Sequence, residues 1–108
     1  MTYYYLGVDV GATKSHALIA DQTGQVVGFG QAGPGNHEVV GWDGYRLVLQ
    51  EITRQALQTA GIQARQIAGA GFGLAGYDWP SQRQPHQQAI ATLGLDCPFE
   101  LVNDAVIG

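Results

Sequence analysis

The chain has 108 residues and a formal net charge of −4, and 45% of its residues are hydrophobic against 13% charged. This composition supports one folded domain and argues against a disordered chain. The five basic residues are dispersed, which argues against a nucleic-acid-binding surface. No apolar run approaches the roughly 20 residues that cross a bilayer, and the N-terminus lacks the pattern of a signal peptide. A single cysteine, Cys97, fits a reducing compartment, so we expect a cytoplasmic protein without nucleic-acid or membrane partners.

Five strands and two helices are predicted, in the order β-β-β-α-β-α-β. A helix from about Trp42 to Ala60 places its apolar residues at i, i+3, i+4 and i+7. A shorter helix is expected from near Pro85 to Leu93, because proline is tolerated at a first helical position and Gly94 can end the helix. The strands are expected at Tyr3 to Val10, Ser15 to Asp21, Val26 to Ala32, Ile67 to Leu74 and Pro98 to Val102.

The connections between these strands predict the sheet. Short turns join the first three strands into an antiparallel meander, and two right-handed βαβ crossovers follow. We therefore predict an α/β fold with one mixed sheet of order 3-2-1-4-5, in which strand 2 is antiparallel to the rest. Ligands collect at the carboxyl ends of strands in such sheets. Strand 1 brings Asp9 to that edge, strand 4 the loop from Gly76 to Asp78, and strand 5 Asp104.

An acidic residue, Asp9, stands inside the first apolar strand, and a tight turn follows it. Burying a carboxylate costs several kcal/mol unless a cation or hydrogen bonds compensate. The backbone N–H groups of the turn and the Thr13 hydroxyl can donate to anionic oxygen, and Asp9 can hold a divalent ion that bridges those oxygens. The pattern predicts the metal and phosphate site of a nucleotide-dependent phosphotransferase. The alternative is a hairpin in which Asp9 only caps the turn.

Two common phosphate-binding fingerprints fit less well. The segment from Gly7 to Ser15 ends in Lys-Ser like a P-loop, but it lacks the second glycine followed directly by lysine. The segment from Gly71 to Gly76 satisfies the dinucleotide pattern G-x-G-x-x-G, and Asp96 lies 20 residues beyond it. That pattern should open a helix, whereas a proline-containing loop follows here, and it leaves Asp9 unexplained.

Taken together, these motifs resemble a known family. The segment from Gly7 to Ser15 is similar to the first phosphate motif of the sugar kinase/Hsp70/actin superfamily, although Ala12 stands where glycine is more usual. Three further segments resemble the N-acetylglucosamine kinase branch, which is classed with the BadF/BadG/BcrA/BcrD-type ATPases: Gly33 to His37, Gly73 to Asp78 and Val102 to Ala105. The resemblance implies a ribonuclease H-like fold. It also implies that residues 1–108 are the N-terminal lobe of an actin-like ATPase or sugar kinase, with the C-terminal lobe absent.

The resemblance further implies an ATP- and Mg²⁺-dependent kinase of an amino sugar, N-acetylglucosamine or glucosamine. Asp9 would hold Mg²⁺, and the phosphates would be bound by Gly11, Ala12, Thr13 and Lys14. Asp104 would be the catalytic base that accepts the proton of the sugar hydroxyl. The sugar would be held by Asn36, His37, Gly76, Asn103 and Asp104. The alternatives are an ordinary loop at Asn36 and His37, and a helix N-cap at Asn103 and Asp104.

Two other functions stay open. An ATPase that powers a partner protein, like the activators of 2-hydroxyacyl-CoA dehydratases, shares the phosphate motif; those activators carry cluster-binding cysteines, to which Cys97 cannot be matched. A sugar-responsive regulator of the ROK family also has the motif, but usually adds a helix-turn-helix that does not precede Tyr3. We expect residues 1–108 alone to be inactive. We also expect an uncovered sheet face to favour self-association or swapping, for example as a homodimer.

Overall fold

A computed structural model describes residues 2–35, 37–74 and 83–103, with the backbone alone described at residues 37–39, 102 and 103. These ranges contain two α-helices, α1 (His37–Ala60) and α2 (Arg83–Ala91), and a one-turn 3₁₀-helix (Ala64–Gln66) that follows α1. The five strands are β1 (Tyr4–Val10), β2 (Ser15–Asp21), β3 (Val26–Ala32), β4 (Ile67–Leu74) and β5 (Phe99–Asn103).

The strands form one sheet in the order β3-β2-β1-β4-β5. The pairs β1–β2 and β2–β3 are antiparallel, and the pairs β1–β4 and β4–β5 are parallel. The predicted order, strand directions and ribonuclease H-like α/β class are therefore confirmed. The predicted strand bounds differ by one residue in β1 and β5. In β5 the ladder begins at Phe99, because Pro98 has no N–H to donate; its carbonyl oxygen accepts a hydrogen bond from Ala70 N–H at 3.2 Å.

The predicted start of the first helix was wrong by about one turn. Helix α1 begins at His37, and Gly41 interrupts it with φ 77° and ψ 171°. Glycine reaches this left-handed region without the penalty of a Cβ. The long amphipathic segment begins after this kink, at the predicted Trp42. The periodic pattern could not reveal the short turn that precedes it.

Helix α2 lies two residues earlier than predicted. It runs from Arg83, so Pro85 stands in its first turn, where a missing N–H leaves no intrahelical bond unmade. Beyond Ala91 the chain tightens: the N–H groups of Thr92 and Leu93 donate to carbonyl oxygens three residues back, at 3.1 and 3.0 Å. Gly94, at φ 75°, then turns the chain away.

The hydrophobic core lies between the two helices and one face of the sheet, here called the helical face. Helix α1 comes so close to β3 that a Cβ at Gly28 or Gly30 would collide with the carbonyl oxygens of Ala56 and Ile52. Glycine at these two strand positions is therefore required by the close approach of the helix backbone. The fully buried side chains of this core include Val10, Ile19, Leu49, Ile52, Phe72, Leu74 and Ile90.

The opposite face of the sheet, here called the open face, is not covered by either described helix. Its large side chains are exposed: Tyr5 to 46%, Leu18 to 42% and Phe29 to 42%. Within the described ranges, no helix is long and apolar enough to span a membrane.

Candidate functional site

The carboxyl ends of β1, β4 and β5 lie side by side at one edge of the sheet. Val10 pairs with Leu74, and Leu74 pairs with Asn103. Two strand spacings of about 4.8 Å place Asn103 roughly 10 Å from Val10. The predicted convergence of these strand ends is therefore confirmed for the backbone. Asp104, which follows Asn103 in the sequence, lies outside the described residues.

The turn after β1 closes between Val10 and Ser15, which are paired. Gly11 N–H donates to the carbonyl oxygen of Lys14 at 3.0 Å, and a Cβ at Gly11 would lie 2.6 Å from that oxygen. Ala12, Thr13 and Lys14 are exposed. Among the described residues, no acceptor takes the N–H groups of Ala12 and Thr13. These two N–H groups are therefore available to an anionic oxygen.

Asp9 is partly buried at the start of this edge, and its Oδ1 atom has no hydrogen-bond partner in the described part of the chain. A buried acceptor without a hydrogen bond costs about 1–3 kcal/mol of folding free energy, and more when it is charged. No described N–H donates to that oxygen, so Oδ1 does not cap the turn among the described residues.

The donor set suits Mg²⁺. A hard cation prefers carboxylate oxygen, and Mg²⁺ is commonly held by one or two carboxylates, with water and substrate phosphates completing its shell. The described residues contain no group of three or more His, Cys, Asp or Glu side chains that could form a closed protein cage. Asp9, beside a turn with two N–H groups that have no acceptor among the described residues, fits the open type of magnesium site.

The loop that precedes α1 is joined to this turn by the backbone. Gly35 N–H donates to the carbonyl oxygen of Gly11 at 3.2 Å. A Cβ at Gly35 would lie 2.8 Å from Val10 Cγ1, 2.9 Å from Val48 Cγ1 and 3.0 Å from Ser15 Oγ. Sequence analysis singled out this segment for its resemblance to the N-acetylglucosamine kinase branch but assigned roles only to Asn36 and His37, so the contribution of Gly35 to the site was missed.

His16 is a second neighbour of the site that sequence analysis did not include. It pairs with Asp9 across β1 and β2, and both side chains border a groove of about 360 Å³ on the open face. The predicted bounds of β1 and β2 already fix this pairing, so the sequence contained the signal. A second cavity of about 430 Å³ lies over Gly69, Phe99 and Glu100, and does not include Asp9.

Several predicted site residues cannot be placed by their side chains. Asn36, Gly76 and Asp104 lie outside the described residues, and His37 and Asn103 are described by their backbone alone. His37 is the first residue of α1, and Asn103 is the last residue of β5. Their roles stay predictions, as do the loop and helix-cap alternatives.

The same architecture occurs in solved structures. A protein of Chromobacterium violaceum assigned as an N-acetylglucosamine kinase matches at a TM-score of 0.71 with 22% identity, over 94% of this chain and 35% of that one. Its counterpart from Porphyromonas gingivalis matches at 0.71 with 24% identity, over 93% of this chain and 34% of that one. Component A of the (R)-2-hydroxyglutaryl-CoA dehydratase of Acidaminococcus fermentans matches at 0.53 with 20% identity, over 91% and 30%. The chain spans about a third of the length of these structures.

The sheet topology and these structural matches define the class: an α/β protein with a ribonuclease H-like fold. Within that class, the family model described as the BadF/BadG/BcrA/BcrD ATPase family matches residues 6–101. The chain belongs to this family. A comparison with curated proteins finds no match.

Proposed function

We propose that this chain carries the phosphate and sugar sites of a kinase that transfers the γ-phosphoryl group of ATP to an amino sugar, N-acetylglucosamine or glucosamine. The observation that carries the proposal is the buried Asp9 Oδ1 beside the turn of Ala12 and Thr13. Neither that oxygen nor the N–H groups of these two turn residues have a hydrogen-bond partner among the described residues. Membership of an ATPase family supports ATP as the phosphoryl donor. The two neighbours assigned as N-acetylglucosamine kinases support the class of acceptor.

On the phosphate side, the proposed roles follow from the donors in the turn. Asp9 orients Mg²⁺, which when bound neutralises charge on the β- and γ-phosphates. The N–H groups of the turn, the Thr13 hydroxyl and the Lys14 ammonium donate to phosphate oxygens. These groups hold the phosphate chain in one position, which reduces the entropic cost of reaching an in-line geometry.

On the acceptor side, a sugar hydroxyl is a weak nucleophile until a base accepts its proton during the attack. We assign that role to Asp104, which follows the last residue of β5. The ends of β1 and β5, roughly 10 Å apart at one edge of the sheet, support a site in which the two sides of the reaction meet there. The sugar is held in this proposal by Asn36, His37, Gly76 and Asn103.

The proposal is tested with the full-length protein, ATP and Mg²⁺, and a panel of hexosamines. We expect ADP release to depend on an amino sugar and to match phosphosugar formation one to one. Asp9→Asn should weaken Mg²⁺-dependent nucleotide binding, whereas Asp43→Asn, at a side chain that is 88% exposed on α1, should not. Sugar-independent ADP release without phosphosugar would exclude the kinase assignment.

A second candidate is an ATPase that drives a partner enzyme. It is favoured by the match to component A of a 2-hydroxyacyl-CoA dehydratase and by a further match, at a TM-score of 0.56, to a reductive activator of a corrinoid iron-sulfur protein. The same assay separates the two candidates, because such an ATPase releases ADP without a sugar and responds to its protein partner instead.

A further inference from the structure

The hydrogen bond between Gly35 and Gly11 acts on a peptide group of the turn after β1. Gly35 N–H donates to the carbonyl oxygen of Gly11 at 3.2 Å. That carbonyl and the N–H of Ala12 belong to one peptide group, which is planar and trans, so the two point in opposite directions. An anchor on the carbonyl therefore directs the Ala12 N–H away from Gly35. Among the described residues, that N–H has no acceptor.

From this arrangement we infer that Gly35 is a positioning residue for phosphate binding. Its N–H holds the peptide group between Gly11 and Ala12 in the orientation in which Ala12 donates to a phosphate oxygen of the nucleotide. The inference rests on the phosphate-binding role proposed for the turn, and it is independent of the identity of the acceptor. Gly35 acts through Gly11 and does not itself contact the nucleotide.

The turn needs an anchor because a glycine leads into it. A Cβ at Gly11 would lie 2.6 Å from the carbonyl oxygen of Lys14, so the tight closure of the turn requires glycine. Glycine also leaves the following peptide group freer to rotate than another residue would. A rotated peptide group would present the Gly11 carbonyl oxygen to an anionic phosphate oxygen, and the two would repel each other. The bond from Gly35 opposes this rotation.

The donor is itself held in a fixed place. Gly35 is buried, and a Cβ there would lie 2.8 Å from Val10 Cγ1, 2.9 Å from Val48 Cγ1 and 3.0 Å from Ser15 Oγ. These atoms belong to β1, α1 and β2, so three elements of the core surround the glycine. A buried N–H without an acceptor is costly, which favours the bond to Gly11. The core thus positions the donor before the nucleotide binds.

A hydrogen bond on the carbonyl also strengthens the donor at the other end of the peptide group. Linked hydrogen bonds polarise one another, so a Gly11 carbonyl that accepts from Gly35 makes the Ala12 N–H a better donor to phosphate. The effect is reciprocal, because a phosphate bound to Ala12 stabilises the bond from Gly35 to Gly11. Phosphate binding at the turn and the order of the loop before α1 therefore depend on each other.

The first test compares two glycine variants of the full-length protein, each shown to be folded by circular dichroism. In Gly35→Ala the new methyl group displaces the loop and breaks the bond to Gly11. We expect the dissociation constant for Mg-ADP to rise by about tenfold or more, because a hydrogen bond to an ionised acceptor is lost. The dissociation constant for adenosine, which has no phosphate, should change little. Gly33→Ala is the matched control and should leave both constants unchanged, since no atom lies within 4 Å of a Cβ there.

The outcomes of this test separate the inference from the proposed function. Equal losses of affinity for Mg-ADP and adenosine, or an unchanged affinity for Mg-ADP, in Gly35→Ala would overturn the inference. A wild-type protein that does not bind Mg-ADP would overturn the proposed function as well. A wild-type protein that binds Mg-ADP but phosphorylates no amino sugar would overturn the proposed function alone, and the glycine variants would still decide the inference.

A second pair of variants reaches the same bond from β2. Ser15→Val adds bulk beside the α-carbon of Gly35 and leaves both glycines in place, so it should weaken Mg-ADP binding as Gly35→Ala does. Ser15→Ala is the control. The Ser15 hydroxyl has no hydrogen-bond partner among the described residues, so its removal should leave the affinity for Mg-ADP unchanged. Equal affinities in the two folded variants would contradict the inference.

A third test uses the wild-type protein alone. Hydrogen exchange followed by NMR, with and without Mg-ADP, reports directly on the Gly35 amide. We expect bound Mg-ADP to slow exchange at Gly35 by about tenfold or more and to move the Ala12 amide proton downfield. The amide of Gly33, an exposed residue, is the internal reference and should exchange at the same rate in both states. If Gly35 exchanges equally fast with and without Mg-ADP, the loop and the turn are not coupled and the inference is wrong.

Discussion

The backbone N–H of Gly35 donates to the carbonyl oxygen of Gly11, so the loop before α1 and the turn after β1 form one bonded unit. The contact is close enough that no side chain fits at Gly35, because Val10, Val48 and Ser15 surround its α-carbon. The sequence separates these two glycines by 24 positions, from residue 11 to residue 35. The fold brings them together because β1 and β2 pair, and β3 returns the chain to the same edge.

Gly35→Ala should therefore destabilise the protein. The new methyl group would lie within 3.0 Å of three side-chain atoms, and overpacking of this kind costs about 1–3 kcal/mol. The loop must move to relieve it, which lengthens the hydrogen bond to Gly11. The free energy of unfolding, measured with urea, checks this prediction. Gly33→Ala is the matched control, since no atom lies within 4 Å of a Cβ there; an equal loss in both variants would contradict the packing argument.

Most of the fold could be predicted because it depends on local signals. The strands could be predicted from β-branched residues and from the alternation of apolar and polar residues. The strand order followed because short turns join antiparallel neighbours and helical crossovers join parallel strands. The start of α1 could not be predicted, because the turn at His37–Val40 is separated from the amphipathic segment by the Gly41 kink. Periodicity detects a face that packs on a sheet, and a single turn has too few residues to show one.

The candidate site could be predicted only where a residue type was unusual for its place in a strand or loop. A carboxylate in a buried strand, Asp9, led to the prediction of a phosphate site at this edge. Gly35 could not be found in this way, since its contribution is a backbone N–H and the absence of a side chain. His16 was interpreted as a structural residue of its strand, although the strand pairing places it opposite Asp9. Long-range contacts of this kind depend on the assembled sheet.

A buried polar pair in the core offers a test of packing between α1 and α2. The Tyr45 hydroxyl lies 2.8 Å from His86 Nδ1, and Trp42 packs edge-on against both rings. Burial raises the pKa of Tyr45, so the phenol keeps its proton. Tyr45→Phe leaves Nδ1 without this partner, and we expect a loss of about 1–3 kcal/mol in the free energy of unfolding.

The matched control for that variant is Tyr3→Phe, at a ring that is 50% exposed. It should change the free energy of unfolding by less than about 0.5 kcal/mol. A Tyr45→Phe variant as stable as this control would mean that the hydroxyl contributes nothing beyond the packing of its ring.

The ion pair of Glu51 and Arg54 on the surface of α1 predicts that the stability of the protein depends on pH. Arg54 donates to both carboxylate oxygens of Glu51, from Nε at 3.1 Å and Nη2 at 2.7 Å, and Gln55 Nε2 donates at 2.7 Å. These bonds, chiefly that from Arg54, lower the pKa of Glu51 to about 2 from its ordinary 4.5. Because the folded pKa is lowered, the stabilisation is present above the unfolded pKa and is lost as the pH falls from about 5 towards 2.

The measurement is the melting temperature of the protein and of Glu51→Gln across that range. We expect the variant to melt at a lower temperature near neutral pH and the two to converge at low pH. The difference should be small, because both side chains are about half exposed and solvent screens the pair. A difference that is constant from neutral to acidic pH would show that the carboxylate charge is not responsible.

The role proposed for Asp104 predicts a specific kinetic change in the full-length protein. Asp104→Asn removes the base but keeps the size and hydrogen-bonding capacity of the side chain. Loss of general-base catalysis reduces turnover by about 10²- to 10⁴-fold. Because an amide can still bond to sugar hydroxyls, the dissociation constant for the sugar should change little. Asp96→Asn, at an exposed residue before β5, is the control and should keep full turnover. Unchanged turnover in Asp104→Asn would exclude it as the base, and equal losses of turnover and sugar affinity would assign it to sugar binding alone.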